Sequence, residues 1–210
     1  MDRLGERPLV DLLACLGSRE PVPGGGAAAA MTGAIAASLA SMVVAYSIGP
    51  ERLETHRDEL QAMASRLSAT QELMLGLADD DAKAYAELNG LWRLPKDDQH
   101  RLRAWPGALD AAIRVPRSIM ESALDLLRHV EPLVAICNEH LLSDLASSAA
   151  IAEAAARAAG QNVRVNANMH KDTTRRSDLL DEVLRAADEA RALSSRIERA
   201  CAERASGAGA

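Results

Sequence analysis

A chain of 210 residues with 30 acidic side chains against 24 Lys and Arg, a formal charge of −6, lacks the basic surplus of a nucleic-acid binder, and its arginines form no patch. Aromatics make up only 2% of it, with no Phe, while hydrophobic residues reach 48%; this apolar mass of Ala, Leu, Val, Ile and Met suits close-packed helices better than sheets. A single all-α domain is therefore expected over residues 1–210.

The N-terminal "MDRLGERPLVDLLACLG" carries charges through its first turns and has no signal-peptide core, so export is not expected. Cys15, Cys137 and Cys201 show no CxxC spacing; they fit a reducing, cytoplasmic setting and provide no metal or disulfide framework. Between Pro21 and Pro50 there is no Asp, Glu, Lys or Arg, a length that must be tested as a membrane span. Its body is mostly Ala, Ser, Gly and Thr, which gain little in hydrocarbon, so a buried helix is expected instead. Ala29, Gly33, Ala37, Ser41 and Ala45 draw a small-residue stripe down one face of that helix, the pattern that admits a close neighbour.

Beyond Gly49-Pro50, apolar residues recur at helical spacing (Leu53, Leu60, Met63, Leu67, Leu73, Leu77) with charges between them, predicting a long amphipathic helix of about ten turns. "LPKDD" ends it. Helical pattern resumes at 97–105, Pro106-Gly107 introduces a kink, and the segment from Ala111 to Asn138 reads as a helix pair punctuated at Pro116 and Pro132. Ser143-Asp144 has the look of an N-cap before a second buried helix, which faces the small-residue stripe and absorbs "NVRVN". Residues 172–204 form a last charged helix, and 205–210 a frayed tail. Six or so helices with short connections make an antiparallel bundle.

Three features invite chemistry. Gly24, Gly25 and Gly26 precede a helix, where amides without neighbouring Cβ atoms can turn toward a ligand; a tight turn with close helix packing explains the triplet equally well. It lacks the Lys-Ser/Thr ending of a P-loop. Asp79, Asp80 and Asp81 crowd negative charge, which raises the pKa of one of them if the site is partly buried; the alternative is a solvated acidic turn. Tyr85 follows Asp81 at i+4, on the same helix face. The five histidines show no HxxxH or HExxH spacing, so no metal is expected, although His140 stands just before Ser143-Asp144.

"PVPGGGAAAA", "ADDDAKAYAELNGLWRLPK", Val115-Pro116, "NEHLLSDLASSAAIAEAA" and "GQNVRVNA" stand in the order and spacing of the cyclodeaminase/cyclohydrolase family, which the chain resembles from about Pro8 to Ile197. That family comprises the C-terminal domain of formiminotransferase-cyclodeaminase and stand-alone bacterial methenyltetrahydrofolate cyclohydrolases. The resemblance implies an all-helical subunit, a homodimer, a tetrahydrofolate derivative as substrate, and neither metal nor separate cofactor. On the aligned motifs it implies Asp81 and Asp144 as the acid–base pair, with Asp81 as general base or cation stabiliser and Tyr85 stacking on the pterin. For Ser143 and Asp144, catalysis and helix capping remain alternatives. Asn162 and Asn166 would meet pterin edges, and Arg164 a carboxylate.

The chain also departs from the family. Where many relatives carry Gly and a run of lysines ending in Tyr, it has "GPERLETHR", which keeps Arg52 in place of that run, and it has Ala27 where many have Ser. With no formiminotransferase segment in the chain, the expected reaction is hydrolysis of 5,10-methenyltetrahydrofolate to 10-formyltetrahydrofolate. The alternatives are cyclodeamination of 5-formiminotetrahydrofolate with release of ammonia, and a diverged paralogue that binds or transforms another folate-like ligand. No membrane partner is expected.

Overall fold

The computed structural model describes residues 3–207. Seven α-helices follow in chain order: α1 Leu9–Leu16, α2 Gly25–Ala45, α3 Arg57–Trp92, α4 Gln99–Val130, α5 Leu133–Ile136, α6 Leu142–Ala167 and α7 Thr173–Gly207. Single 3₁₀ segments at Leu4–Glu6, Glu51–His56 and Glu139–Leu141 join or precede them, and no strand occurs among the described residues.

Alanine decides the centre. Ala27, Ala30, Ala36, Ala37 and Ala40 of α2 are fully buried, and side chains this short let α2 lie between α3 on one flank and α6 on the other. The predicted stripe is buried at Ala29, Gly33 and Ala37, half-buried at Ser41 and exposed at Ala45. Within the stripe the approach is closest at Gly33, where an added Cβ would lie 2.8 Å from Met74 Cε on α3. Toward α6, the buried Ser148 hydroxyl donates to the Ala36 carbonyl at 2.8 Å, giving this otherwise apolar contact a fixed register. Leucine, isoleucine and methionine from α3, α4, α6 and α7 complete the core around this pair. Although α2 is long and apolar enough to cross a membrane, just over half (56%) of its most apolar window is packed inside the bundle.

Helix α3 runs 36 residues, the ten turns its periodicity predicts. Helix α4 differs from expectation: it continues unbroken through Pro106 and Pro116 for 32 residues. Each proline removes one backbone hydrogen bond, but packing of α4 on α3, α6 and α7 holds both sides of the gap in line. Its start is capped by Asp98, whose carboxylate accepts from the His100 and Arg101 amides at 2.9 Å each. Ser143-Asp144 is not a cap: α6 starts one residue earlier, with Leu141 at the N-cap position and no side chain on the free amides. Capping has moved upstream, where the Asn138 side chain accepts from the His140 amide at 3.2 Å and closes the 3₁₀ turn. Helix α7 extends through Gly207, past the predicted end at 204; the rest of the expected tail, 208–210, lies outside the described residues.

Candidate active site

The antiparallel run of α2 against α3 brings Gly26, in the first turn of α2, to Asp81, late in α3. Contact is so close that a Cβ at residue 26 would fall within the carboxylate group itself. Absence of a side chain there admits the protein's own carboxylate to the mouth of α2, where the Ala27 N–H favours its ionised form. On the other flank, a Cβ at Gly25 would stand 3.4 Å from the Asn162 amide of α6. The turn leading into these glycines contains a cis Val22-Pro23 peptide bond.

These elements enclose a cavity of about 260 Å³ lined by Pro21, Gly24, Gly25, Gly26, Asp81, Tyr85, Ala112, Asn162, Val165 and Asn166. Burial pushes the Asp81 carboxyl up from 3.8 to about 6, against the pull of the Ala27 N–H, which favours the ionised form. The expected cause, crowding by Asp79 and Asp80, is not the operative one. Asp79 accepts the Leu4 amide at 2.8 Å and faces Arg3 at 3.8 Å, whereas exposed Asp80 pairs with Lys83 at 3.4 Å. Consecutive helical residues point about 100° apart, so three adjacent aspartates occupy three environments.

Asn166 is buried and gives its amide to the Ala112 carbonyl of α4 at 2.6 Å, leaving its side-chain oxygen for the cavity. Asn162 donates to the Ala158 carbonyl at 3.1 Å and likewise retains an acceptor. Tyr85 lies at the rim, 40% exposed. The cavity thus offers one carboxylate with a pKa near the working range, two amide oxygens and an aromatic ring.

The remaining candidates lie elsewhere in the subunit. Arg164 points away from Asn162 and Asn166 into a cleft against α7, with Asp188 and Arg191 on its wall. Asp144 and Ser143 sit in the first turn of α6, whereas Asn162 is in its last turns; at 1.5 Å per residue they are about 27 Å apart. Arg52 is at the far end too, held by Glu139 at 2.8 Å and Asn138 at 3.0 Å, and His140 is exposed beside them. Sequence reasoning missed Pro21, Ala112 and Val165; an alanine or valine on a helix carries no signal of lining a cavity. Among the described residues no three His, Cys, Asp or Glu side chains converge as a metal site.

Comparison with known proteins adds a family. The chain is similar to methenyltetrahydrofolate cyclohydrolase of Methylorubrum extorquens, 29% identical over 92% of this chain and 95% of that protein. It is also similar to formimidoyltransferase-cyclodeaminase of Rattus norvegicus, 30% identical over 80% of this chain, of which it spans only 33%. Its fold matches a crystal structure of formiminotetrahydrofolate cyclodeaminase from Thermotoga maritima with a TM-score of 0.86, at 24% identity, over 95% of this chain and 98% of that one. The family model described as formiminotransferase-cyclodeaminase matches residues 8–185, which include the glycine turn, Asp81 and both cavity asparagines. The chain belongs to the formiminotransferase-cyclodeaminase family.

Proposed function

We propose that this protein is a cytoplasmic methenyltetrahydrofolate cyclohydrolase in which Asp81 is the general base. The observation that carries the reading is a carboxylate held at a helix mouth inside a cavity and titrating at about 6. At neutral pH it is ionised, so it attracts the cationic amidinium of 5,10-methenyltetrahydrofolate, yet it is basic enough to take a proton from water. Water oxygen bonds to the amidinium carbon as Asp81 takes one of its protons. The bond from that carbon to N5 then breaks, N5 takes the proton back from Asp81, and the remaining hydroxyl proton leaves to solvent as 10-formyltetrahydrofolate forms. In this reading the amide oxygens of Asn162 and Asn166 receive N–H groups of the pterin and the Tyr85 ring lies against its face, which is supported by all three lining the cavity with Asp81.

The cyclohydrolase relative is nearly coextensive with this chain and 29% identical to it, which supports hydrolysis; the cyclodeaminase structure is equally coextensive but, at 24% identity, supports the fold alone. Mixing the protein with methenyltetrahydrofolate and following loss of its near-ultraviolet absorbance tests the assignment; a rate equal to buffer alone ends it. Ammonia released from formiminotetrahydrofolate measures the cyclodeaminase alternative in the same preparation.

The reading includes a homodimer built on the outward face of α2. Ile35 and Tyr46 are 58% and 64% exposed, Leu39 and Met42 between them are half-buried, and no charge occurs from Pro21 to Pro50. An uncharged apolar ridge of this length fits a second copy of itself. Ile35→Glu is expected to convert a sedimenting dimer to monomer, with the dissociation constant raised at least about 100-fold. A wild-type protein that sediments as a monomer at micromolar concentration removes the dimer from the proposal.

A further inference from the structure

Val115-Pro116 has no place on the wall of the Asp81 cavity, yet it follows by about one helical turn a residue that does, Ala112. Pro116 is buried inside α4 and has no N–H. In an α-helix that N–H would bond to the carbonyl four residues earlier, which here is the Ala112 carbonyl. The proline therefore releases this oxygen from the helical ladder, and its ring crowds the same oxygen, at a residue only 3% exposed. A buried carbonyl without a donor is costly, and this one is met from another helix: the Asn166 side chain of α6 donates to it at 2.6 Å. Pro106 releases the Leu102 carbonyl in the same way, but Leu102 is 55% exposed and water serves there.

The released carbonyl decides which way the Asn166 amide faces. A carbonyl only accepts, so Asn166 must present its NH2 group to α4; turned over, its oxygen would oppose the Ala112 oxygen within hydrogen-bond distance. The other branch of the amide, Oδ1, is left for the cavity that Asn166 lines together with Asp81. Asn162 is held differently: it is half-buried and donates to the Ala158 carbonyl of its own helix at 3.1 Å. Of the two amides, Asn166 is the one whose polarity is set by a neighbouring helix.

We propose that Pro116 is a positioning residue for the substrate: by freeing the Ala112 carbonyl it locks Asn166 as a hydrogen-bond acceptor in the cavity. The site then selects a ligand that brings an N–H to that wall and turns away one that brings a carbonyl. For the identity of the ligand the inference rests on the folate reading above, in which the N–H belongs to the pterin. A donor missing from the backbone of α4 is thus expressed as specificity on α6.

The test crosses Pro116→Ala with Asn166→Ala and reads both thermal unfolding and methenyltetrahydrofolate kinetics. Asn166→Ala strands the Ala112 carbonyl beside a residue that cannot donate to it, and Tm should fall by roughly 2–12 °C. Adding Pro116→Ala returns a helical N–H to the same oxygen, so it should raise Tm more in the Asn166→Ala background than in the wild type, by at least about 2 °C. In the wild-type background, Pro116→Ala offers the carbonyl a competing donor and draws it back into its own helix. KM should then rise about five- to tenfold with kcat within about twofold, and without a fall in Tm, since alanine is the better helix residue. With Asn166→Ala already in place, Pro116→Ala should leave KM where it is. A residue that only shaped α4 would raise KM together with a lower Tm and would do so in both backgrounds. Equal Tm gains in the two backgrounds, or a hydrolysing protein whose KM ignores Pro116→Ala, overturn the positioning role and leave the reaction standing. Coupled Tm gains in a protein that does not hydrolyse methenyltetrahydrofolate keep the link between Pro116 and Asn166 and overturn the reaction.

Discussion

Asp81→Asn should lower turnover of methenyltetrahydrofolate by about 10²- to 10⁴-fold, the range over which a positioned general base acts, and should also raise KM, because the cation the carboxylate attracts is the substrate itself. Asparagine keeps the shape of the side chain and an oxygen beside the Ala27 N–H, so the glycine turn and the cavity stay as they are. What is lost is the lone pair that takes a proton from water and the charge that draws the amidinium cation. In the wild type, kcat/KM should climb with pH and level off above a midpoint at about 6, where the carboxyl gives up its proton. The residual activity of the variant should show no such midpoint. A variant retaining more than about a tenth of the wild-type rate would remove Asp81 from the role of base.

The same substitution should make the protein more stable. Unfolded, the carboxyl titrates near 3.8, and folded at about 6. Between those values the folded chain holds a proton that the unfolded chain has released, so stability falls as pH rises through this window and stays at its lower value above it. A shift of this size corresponds to about 3 kcal/mol at most, because the carboxylate faces a cavity open to water. Urea unfolding should therefore show Asp81→Asn gaining on the wild type between about pH 4 and pH 6, and holding a gain of about 2 kcal/mol above it. A stability difference that is flat across that range would mean that the carboxyl is not perturbed by burial.

Much of this arrangement is legible in the residues because helical periodicity is a long-range signal. Leu60, Met63 and Leu67 mark one face of α3, and the uncharged span after Gly24 marks α2 as the buried helix. What is not legible follows from geometry that sequence spacing hides. In "NVRVN", Asn162, Arg164 and Asn166 alternate on paper; on a helix, two residues amount to about 200°, so Arg164 faces away while the asparagines, four apart, share a side. Ser143-Asp144 has the chemistry of a cap, but a 3₁₀ turn capped by Asn138 moves the helix start ahead of it. The aspartate triplet shows acidity but not which member is buried, since that depends on the partner helix. Pro106 and Pro116 signal breaks that tertiary packing overrides.

The tightest constraint in the molecule falls on a residue with no side chain. Gly26→Ala would drive a methyl into the Asp81 carboxylate, a buried side chain already held at the helix mouth beside the Ala27 N–H. Either Asp81 leaves the helix mouth or α2 moves off α3; in both cases the base loses its position. Overpacking of this kind costs about 1–3 kcal/mol, a fall in Tm of roughly 2–12 °C for a chain of this length, and kcat/KM should drop at least about 100-fold. Gly25→Ala is the contrast. Its methyl would meet the Asn162 amide at 3.4 Å, an ordinary contact with a half-buried side chain that can shift, so Tm should stay within about 2 °C and KM should carry the effect. Truncating the obstructing carboxylate isolates the cause: in an Asp81→Ala background, Gly26→Ala should no longer lower Tm, although activity remains lost. If Gly26→Ala destabilises the protein equally with and without the Asp81 carboxylate, the two residues are uncoupled, and the glycine serves the turn rather than the base.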